Sequence, residues 1–97
     1  MTLQEITTKI TQLAEKSPDF LGGSSLKFVF PEGNVHIDNT GKVSNGEQEA
    51  DCSLLTSLED LEKIMAGDLN PMQAVMFGKL KIKGDMSVAM KLQSILS

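Results

Sequence analysis

The amino-acid sequence predicts an α+β domain in which helices pack on one face of a mostly antiparallel sheet. Three observations carry that prediction. Short stretches of alternating apolar and polar residues, separated by tight-turn residues, fill the first half of the chain, as antiparallel strands require. Stretches with apolar residues three and four apart, each opened by a capping residue, stand on either side of them. The resulting order is helix, three or four strands, helix, helix, strand, helix, so the last strand joins the sheet after a helical crossover.

Thr2 and Glu5 have capping-box spacing, and Leu3, Ile6, Ile10, Leu13 and Ala14 recur at helical intervals until Ser17-Pro18 breaks them. This is an amphipathic helix with one buried stripe. Gly22-Gly23-Ser24-Ser25 reads as a loop, because no strand precedes it and no Lys-Ser or Lys-Thr pair follows to serve a nucleotide phosphate. Leu26, Phe28 and Phe30 alternate with Lys27 and Val29, and Pro31-Glu32-Gly33-Asn34 turns the chain into Val35-His36-Ile37-Asp38. Asn39-Thr40-Gly41 turns it again into Lys42-Val43-Ser44. Asn45-Gly46 then signals a hairpin or bulge before a strand expected to run to about Leu55. On that strand Glu47, Glu49, Asp51 and Ser53 share a solvated face, and Ala50, Cys52 and Leu54 share the apolar one. Thr56-Ser57 followed by Glu59-Asp60 caps a helix whose inner stripe is Leu58, Leu61, Ile64 and Met65 and whose exit is Gly67.

The stretch from Asp68 to Ser97 is the most informative. Asn70-Pro71 opens a short helix and Gly78 closes it, since Asn caps free amides, Pro suits the first helical position and Gly tolerates a left-handed exit. Leu80 and Ile82 alternate with Lys79, Lys81 and Lys83, a strand with one wet face. Asp85 is placed to cap a last helix from Met86 to about Leu96. At roughly 100° per residue, Val88, Leu92, Ile95, Leu96, Ala89, Met86 and Met90 sweep more than about half its circumference, wider than one sheet face covers. The excess must meet a second protein layer, a partner chain or a bound hydrophobic molecule. Gln93 falls inside the arc, and burying its amide unpaired costs about 1–3 kcal/mol.

Composition narrows the function classes. A chain of 97 residues forms one domain with a single core, and a sizeable cavity in it needs a ligand to offset lost packing. Aromatic residues are four Phe, without Tyr or Trp, whereas Met is plentiful; Met72, Met76, Met86 and Met90 either line an adaptable pocket or fill gaps in an ordinary core. The net charge of −4 argues against nucleic-acid binding. Residues 1–68 hold five Lys and twelve acids, −7, and residues 69–97 hold four Lys and one acid, +3. Lys79, Lys81 and Lys83 are therefore either a solvated strand face or an approach to an anionic membrane surface.

A single cysteine forms no internal disulfide and fits a reducing compartment. No secretory signal, no apolar run of spanning length and no peroxisomal tripeptide at Ile95-Leu96-Ser97 are present, so a cytoplasmic location is expected. Chemistry is hard to build. His36 shares a face with Asp38, opposite Val35 and Ile37, and is expected to face solvent, while Cys52 reads as a small buried hydrophobe. Glu47, Glu49 and Asp51, about 7 Å apart along a strand, are too widely spaced to hold one ion.

The run from Asn70 to Gln93 combines Asn-Pro, a short Met/Ala/Phe helix, Gly-Lys-Leu-Lys-Ile-Lys-Gly-Asp and Ala-Met-Lys-Leu-Gln. It resembles the C-terminal signature of the sterol carrier protein 2 family of small lipid-binding domains. The resemblance implies a five-stranded sheet with a hydrophobic tunnel between it and the helices. It also implies non-catalytic carriage of fatty acids, acyl-coenzyme A, phospholipids or sterols, with no cofactor. Carried onto matching positions, the tunnel walls are Met72, Val75, Met76 and Phe77, then Leu80 and Ile82, then Met86, Ala89, Met90, Leu92 and Leu96, with Gln93 a partner for a polar ligand group. The strand pattern adds Phe28, Phe30, Val35, Ile37 and Leu54. Transient membrane contact is the associated expectation. The alternative is an interaction or accessory module, in which residues 86–96 dock a second copy or an enzyme of lipid or quinone metabolism.

Overall fold

A computed structural model describes residues 2–17, 19 and 21–96, with side chains to residue 93. Helix α1 (Leu3–Lys16) leads into β1 (Leu26–Phe30), β2 (Gly33–Ile37), β3 (Val43–Ser44) and β4 (Cys52–Leu55). Helices α2 (Leu58–Met65) and α3 (Pro71–Met76), strand β5 (Lys81–Gly84) and helix α4 (Met86–Leu96) follow. The expected α+β domain with a five-stranded sheet is what forms, in the order β3-β2-β1-β4-β5.

The local signals act as read. The Thr2 hydroxyl accepts from the Glu5 amide at 3.2 Å while the Glu5 carboxylate accepts from the Thr2 amide at 3.1 Å, and Ile6, Ile10 and Ala14 form the buried stripe of α1. Ser57 caps α2 through the Asp60 amide at 3.0 Å. Asn70 caps α3 through the Met72 amide at 2.8 Å. Gly78, at φ 73°, reverses the chain so that the amides of Lys79 and Leu80 both donate to the Ala74 carbonyl, at 2.8 and 3.1 Å. That reversal drops Leu80 into the core.

The sheet is mixed. Pairs β1–β2, β2–β3 and β4–β5 are antiparallel, but β1 and β4 run parallel. This pairing sets the course of residues 45–51, which must travel from β3 at one edge past β2 and β1 to reach β4. Helices cover the face that carries Val35, Phe28 and Leu54, so the segment crosses the other face. The Glu49 carbonyl accepts from His36 Nε2 at 3.2 Å, and the Asn45 side-chain amide donates to the Asn34 carbonyl at 2.9 Å. Asp51 ends the crossing beside β1, its carboxylate accepting from the Ser25 amide and its own amide donating to the Ser25 hydroxyl, both at 2.9 Å.

Two expectations are corrected by this crossing. The strand expected after Gly46 is confined to Cys52–Leu55, because a chain passing over a sheet cannot also lie in it, and Glu47, Glu49 and Asp51 do not form a strand face. His36 keeps the face expected of it but is only 5% exposed, because residues 45–51 cover it and supply its partner.

One core fills the space between sheet and helices, with Ile6 and Ile10 of α1, Leu61 and Ile64 of α2, and Val88 and Leu92 of α4 against Leu26, Phe28, Val35, Ile37, Cys52 and Leu54. No helix among the described residues is long and apolar enough to cross a membrane.

Candidate ligand-binding groove

The register of the sheet aligns Phe28 with Leu54 and Leu54 with Ile82, a single apolar row across β1, β4 and β5. That row is the floor of a groove. Its walls are Leu61 and Ile64 from α2, Pro71, Met72 and Val75 from α3, and Met86, Ala89, Met90, Leu92 and Gln93 from α4, with Thr56 and Leu80 completing the lining. The groove has a cavity volume of about 70 Å³, and all the free space within it, counted with the solvent at its mouth, is about 600 Å³.

The groove has a depth and a rim. Phe28, Leu54, Leu61, Ile64, Leu80 and Leu92 are buried, whereas Met72, Val75, Met86 and Met90 are 59, 39, 56 and 68% exposed. The broad apolar arc of α4 explains the difference. Val88 and Leu92 satisfy the core, and the adjoining Met86 and Met90 are left exposed over the opening, uncovered among the described residues. Three of the four rim residues are methionines, whose unbranched thioether chains reorient at low cost.

The position of α4 is fixed at its first turn. The Asp85 carboxylate accepts from the Ser87 amide at 2.9 Å and from the Ser87 hydroxyl at 2.6 Å, and the hydroxyl bond, then the amide bond, holds this carboxyl below its ordinary range. The Asp85 amide donates to the Asp51 carbonyl at 2.8 Å. Gly84, at φ 98°, permits this approach, since a Cβ there would run into the same carbonyl.

Polar groups are few. The Thr56 hydroxyl donates to the Lys79 carbonyl at 2.9 Å, which ties the end of β4 to the approach to β5. Gln93 is half-buried in the α4 wall. Cys52 lies on the inner face, where burial first, and the nearby Asp85 charge second, push its thiol up. His36 is on the opposite face, so the two cannot act as a nucleophile and base.

Of the residues singled out in the sequence, Met72, Val75, Leu80, Ile82, Met86, Ala89, Met90, Leu92 and Gln93 come together around this groove. Met76 and Phe77 do not. They are 80 and 69% exposed on the outer side of α3, whose buried residue is Ala74. The Leu96 side chain lies outside the described residues. Phe28 and Leu54 line the groove, while Phe30, Val35 and Ile37 are buried in the core without reaching it. Thr56, Leu61, Ile64 and Pro71 were not anticipated as lining. Leu61 and Ile64 carry the periodicity of any core stripe, and Thr56 and Pro71 carry capping signals, so nothing in the sequence marked them.

Comparison with known proteins adds to this geometry. The model of the SCP-2 sterol transfer family matches residues 3–97. Sterol carrier protein 2 of Bos taurus is 45% identical over 85 residues, which are 84% of this chain and 14% of the bovine protein, so the chain spans a small part of that relative's length. The solution structure of the sterol carrier protein domain 2 of Helicoverpa armigera has a TM-score of 0.77 and 28% identity, covering 95% of this chain and 83% of that one. The structure of palmitated SCP2L2 from Aedes aegypti shares the fold with a TM-score of 0.82 at 20% identity, over 99% of this chain and 95% of that one.

Proposed function

Because the chain belongs to the SCP-2 sterol transfer family, we propose that it is a non-catalytic lipid carrier that shelters an acyl chain or another apolar body in the groove between β1–β4–β5 and helices α2, α3 and α4. The observation that carries the reading is the rim: four large apolar side chains stand exposed directly over an apolar opening. A guest that enters covers them.

The driving force is removal of the guest from water. Each buried methylene contributes about 0.8 kcal/mol, so chain length rather than head group sets the affinity. A dry apolar cavity of about 150 Å³ holds a benzene ring, so the present volume of about 70 Å³ is short of what a long chain needs. Met72, Met86 and Met90 supply the difference by swinging outward, which turns the open groove into a tunnel around the guest. Gln93 is the wall residue suited to a carboxyl or hydroxyl group of the ligand. The palmitated state of the Aedes aegypti relative supports a fatty acyl chain, and the family description supports sterols as a further class. The mechanism uses solvation and shape alone and assigns no step to a cofactor.

Native mass spectrometry of protein purified without detergent tests this. The expected result is a mass excess of one lipid per chain that exchanges for added palmitate. A protein that stays ligand-free in the presence of excess palmitate would remove the proposal.

A further inference from the structure

Among the described residues, the otherwise apolar lining of the groove carries two polar side chains, Thr56 and Gln93. They differ in what they can offer a guest. The Gln93 amide has donors and an acceptor, so it suits either kind of polar group. The Thr56 hydroxyl has one proton, and that proton is committed to the Lys79 carbonyl at 2.9 Å. Among the described residues no group donates to the Thr56 oxygen in return. What this hydroxyl has left is acceptor capacity alone.

Thr56 also lies deep in the groove. It is 9% exposed, whereas the least exposed of the four rim residues, Val75, is at 39%. It follows β4 by one residue and keeps the inward phase of Cys52 and Leu54. Its amide donates to the Val29 carbonyl at 3.2 Å, which continues the pairing of β1 with β4, and its branched side chain has few rotamers. The oxygen is thus held from two sides. Turning its proton to a guest would break the Lys79 bond.

We propose that Thr56 is a hydroxyl-selecting subsite at the inner end of the groove, accepting a hydrogen bond from a neutral hydroxyl at the leading end of the guest and excluding an ionised carboxylate from that end. The inference deepens the carrier reading and rests on it. A carboxylate only accepts, so against Thr56 it would give up its water and meet lone pairs. A hydroxyl at the same place keeps a bond. An acyl chain therefore enters with its methyl end or a terminal hydroxyl first and leaves its carboxylate at the mouth. A slim chain is the body that brings this hydroxyl, because a cavity of about 70 Å³ admits it with less displacement of the rim than fused rings require. The ligand class is the ω-hydroxylated fatty acid.

Displacement of a fluorescent fatty-acid probe by palmitate and by ω-hydroxypalmitate tests the subsite. The two acids share carboxylate and chain length and differ in the group that reaches Thr56. The wild-type chain should bind them within about fivefold of each other, because a hydrogen bond made in the groove roughly offsets the water bonds lost. Thr56→Val keeps the shape and removes the oxygen. In this variant the Kd of ω-hydroxypalmitate relative to that of palmitate should rise on the order of 10- to 100-fold, the penalty for burying a hydroxyl without a partner. Thr56→Ser should return the wild-type ratio. A threonine that only ties β4 to the approach to β5 would change both acids alike, and an unchanged ratio in Thr56→Val overturns the proposal. Wild-type preference for palmitate by about 10-fold or more overturns it without any variant. Failure of palmitate itself to displace the probe from wild type instead removes the carrier reading, and this inference with it.

Discussion

Replacing Ala89 with leucine should raise stability and weaken ligand binding at the same time. Ala89 is half-buried on α4, packs against the core and lines the groove, and leucine there adds three carbon atoms beside about 70 Å³ of unfilled space. At about 24 cal/mol per Å³ of cavity, complete filling contributes at most about 1.7 kcal/mol, with helix propensity changing by only a few tenths. For a domain of this size about 1 kcal/mol moves Tm by roughly 4–8 °C, so a rise of several degrees is expected. The same three carbons exclude about three methylenes of a bound acyl chain, a loss of about 2.4 kcal/mol or on the order of 50-fold in Kd. Thermal unfolding of the ligand-free protein and displacement of a fluorescent fatty-acid probe read the two effects separately. A lower Tm with undiminished probe affinity would refute the reasoning, because the space would then be neither fillable nor the place where the chain resides.

Three further predictions follow from the same geometry. In a series of saturated fatty acids, each added pair of methylenes should tighten Kd about 15-fold until the groove is full, and a flat series contradicts burial of the chain. Gly84→Ala should cost about 2 kcal/mol or more in urea unfolding, since it forces a left-handed backbone on alanine and pushes a methyl group into the Asp51 carbonyl; an unchanged midpoint counts against that contact. The Asp85 carboxyl titrates below its ordinary value of 3.8 in the folded chain, so its contribution is complete above about pH 4 and is lost as pH falls through the folded value, where the unfolded chain takes up the proton first. Asp85→Asn should therefore flatten the acid side of the stability profile relative to wild type, and parallel profiles from pH 5 to pH 2 would show that this cap is not linked to folding.

What the sequence discloses is what neighbouring residues decide. The Thr2–Glu5 box, the Asn70-Pro71 start, the Gly78 reversal and the alternation at Leu80 and Ile82 are all local, and each places its element correctly. The parallel pairing of β1 with β4 is not local. No residue between Asn45 and Asp51 announces that the chain must cross the sheet, and the alternation from Glu47 to Leu55 imitates one long strand. The burial of His36 follows from that crossing and shares its invisibility. At the groove, the wide arc of α4 reports surplus apolar surface, and Met86 and Met90 are where it emerges. Helix α3 has only six residues, with Ala74 as its buried one, so apolar character at Met72, Val75, Met76 and Phe77 cannot say which of them turn to the groove. Leu61 and Ile64 look like core in the sequence because a lining residue and a core residue obey the same periodicity.

The most direct test of a guest held between sheet and helices is carbon-13 methyl NMR of the methionines during titration with palmitate. Met72, Met86 and Met90 stand on the groove, Met76 stands on the outer side of α3, and Met65 packs against the core without lining the groove. The methyl signals of Met72, Met86 and Met90 should move together and saturate at one palmitate per chain, while those of Met65 and Met76 stay in place. Movement confined to Met76, or no movement at saturating palmitate, would contradict the account.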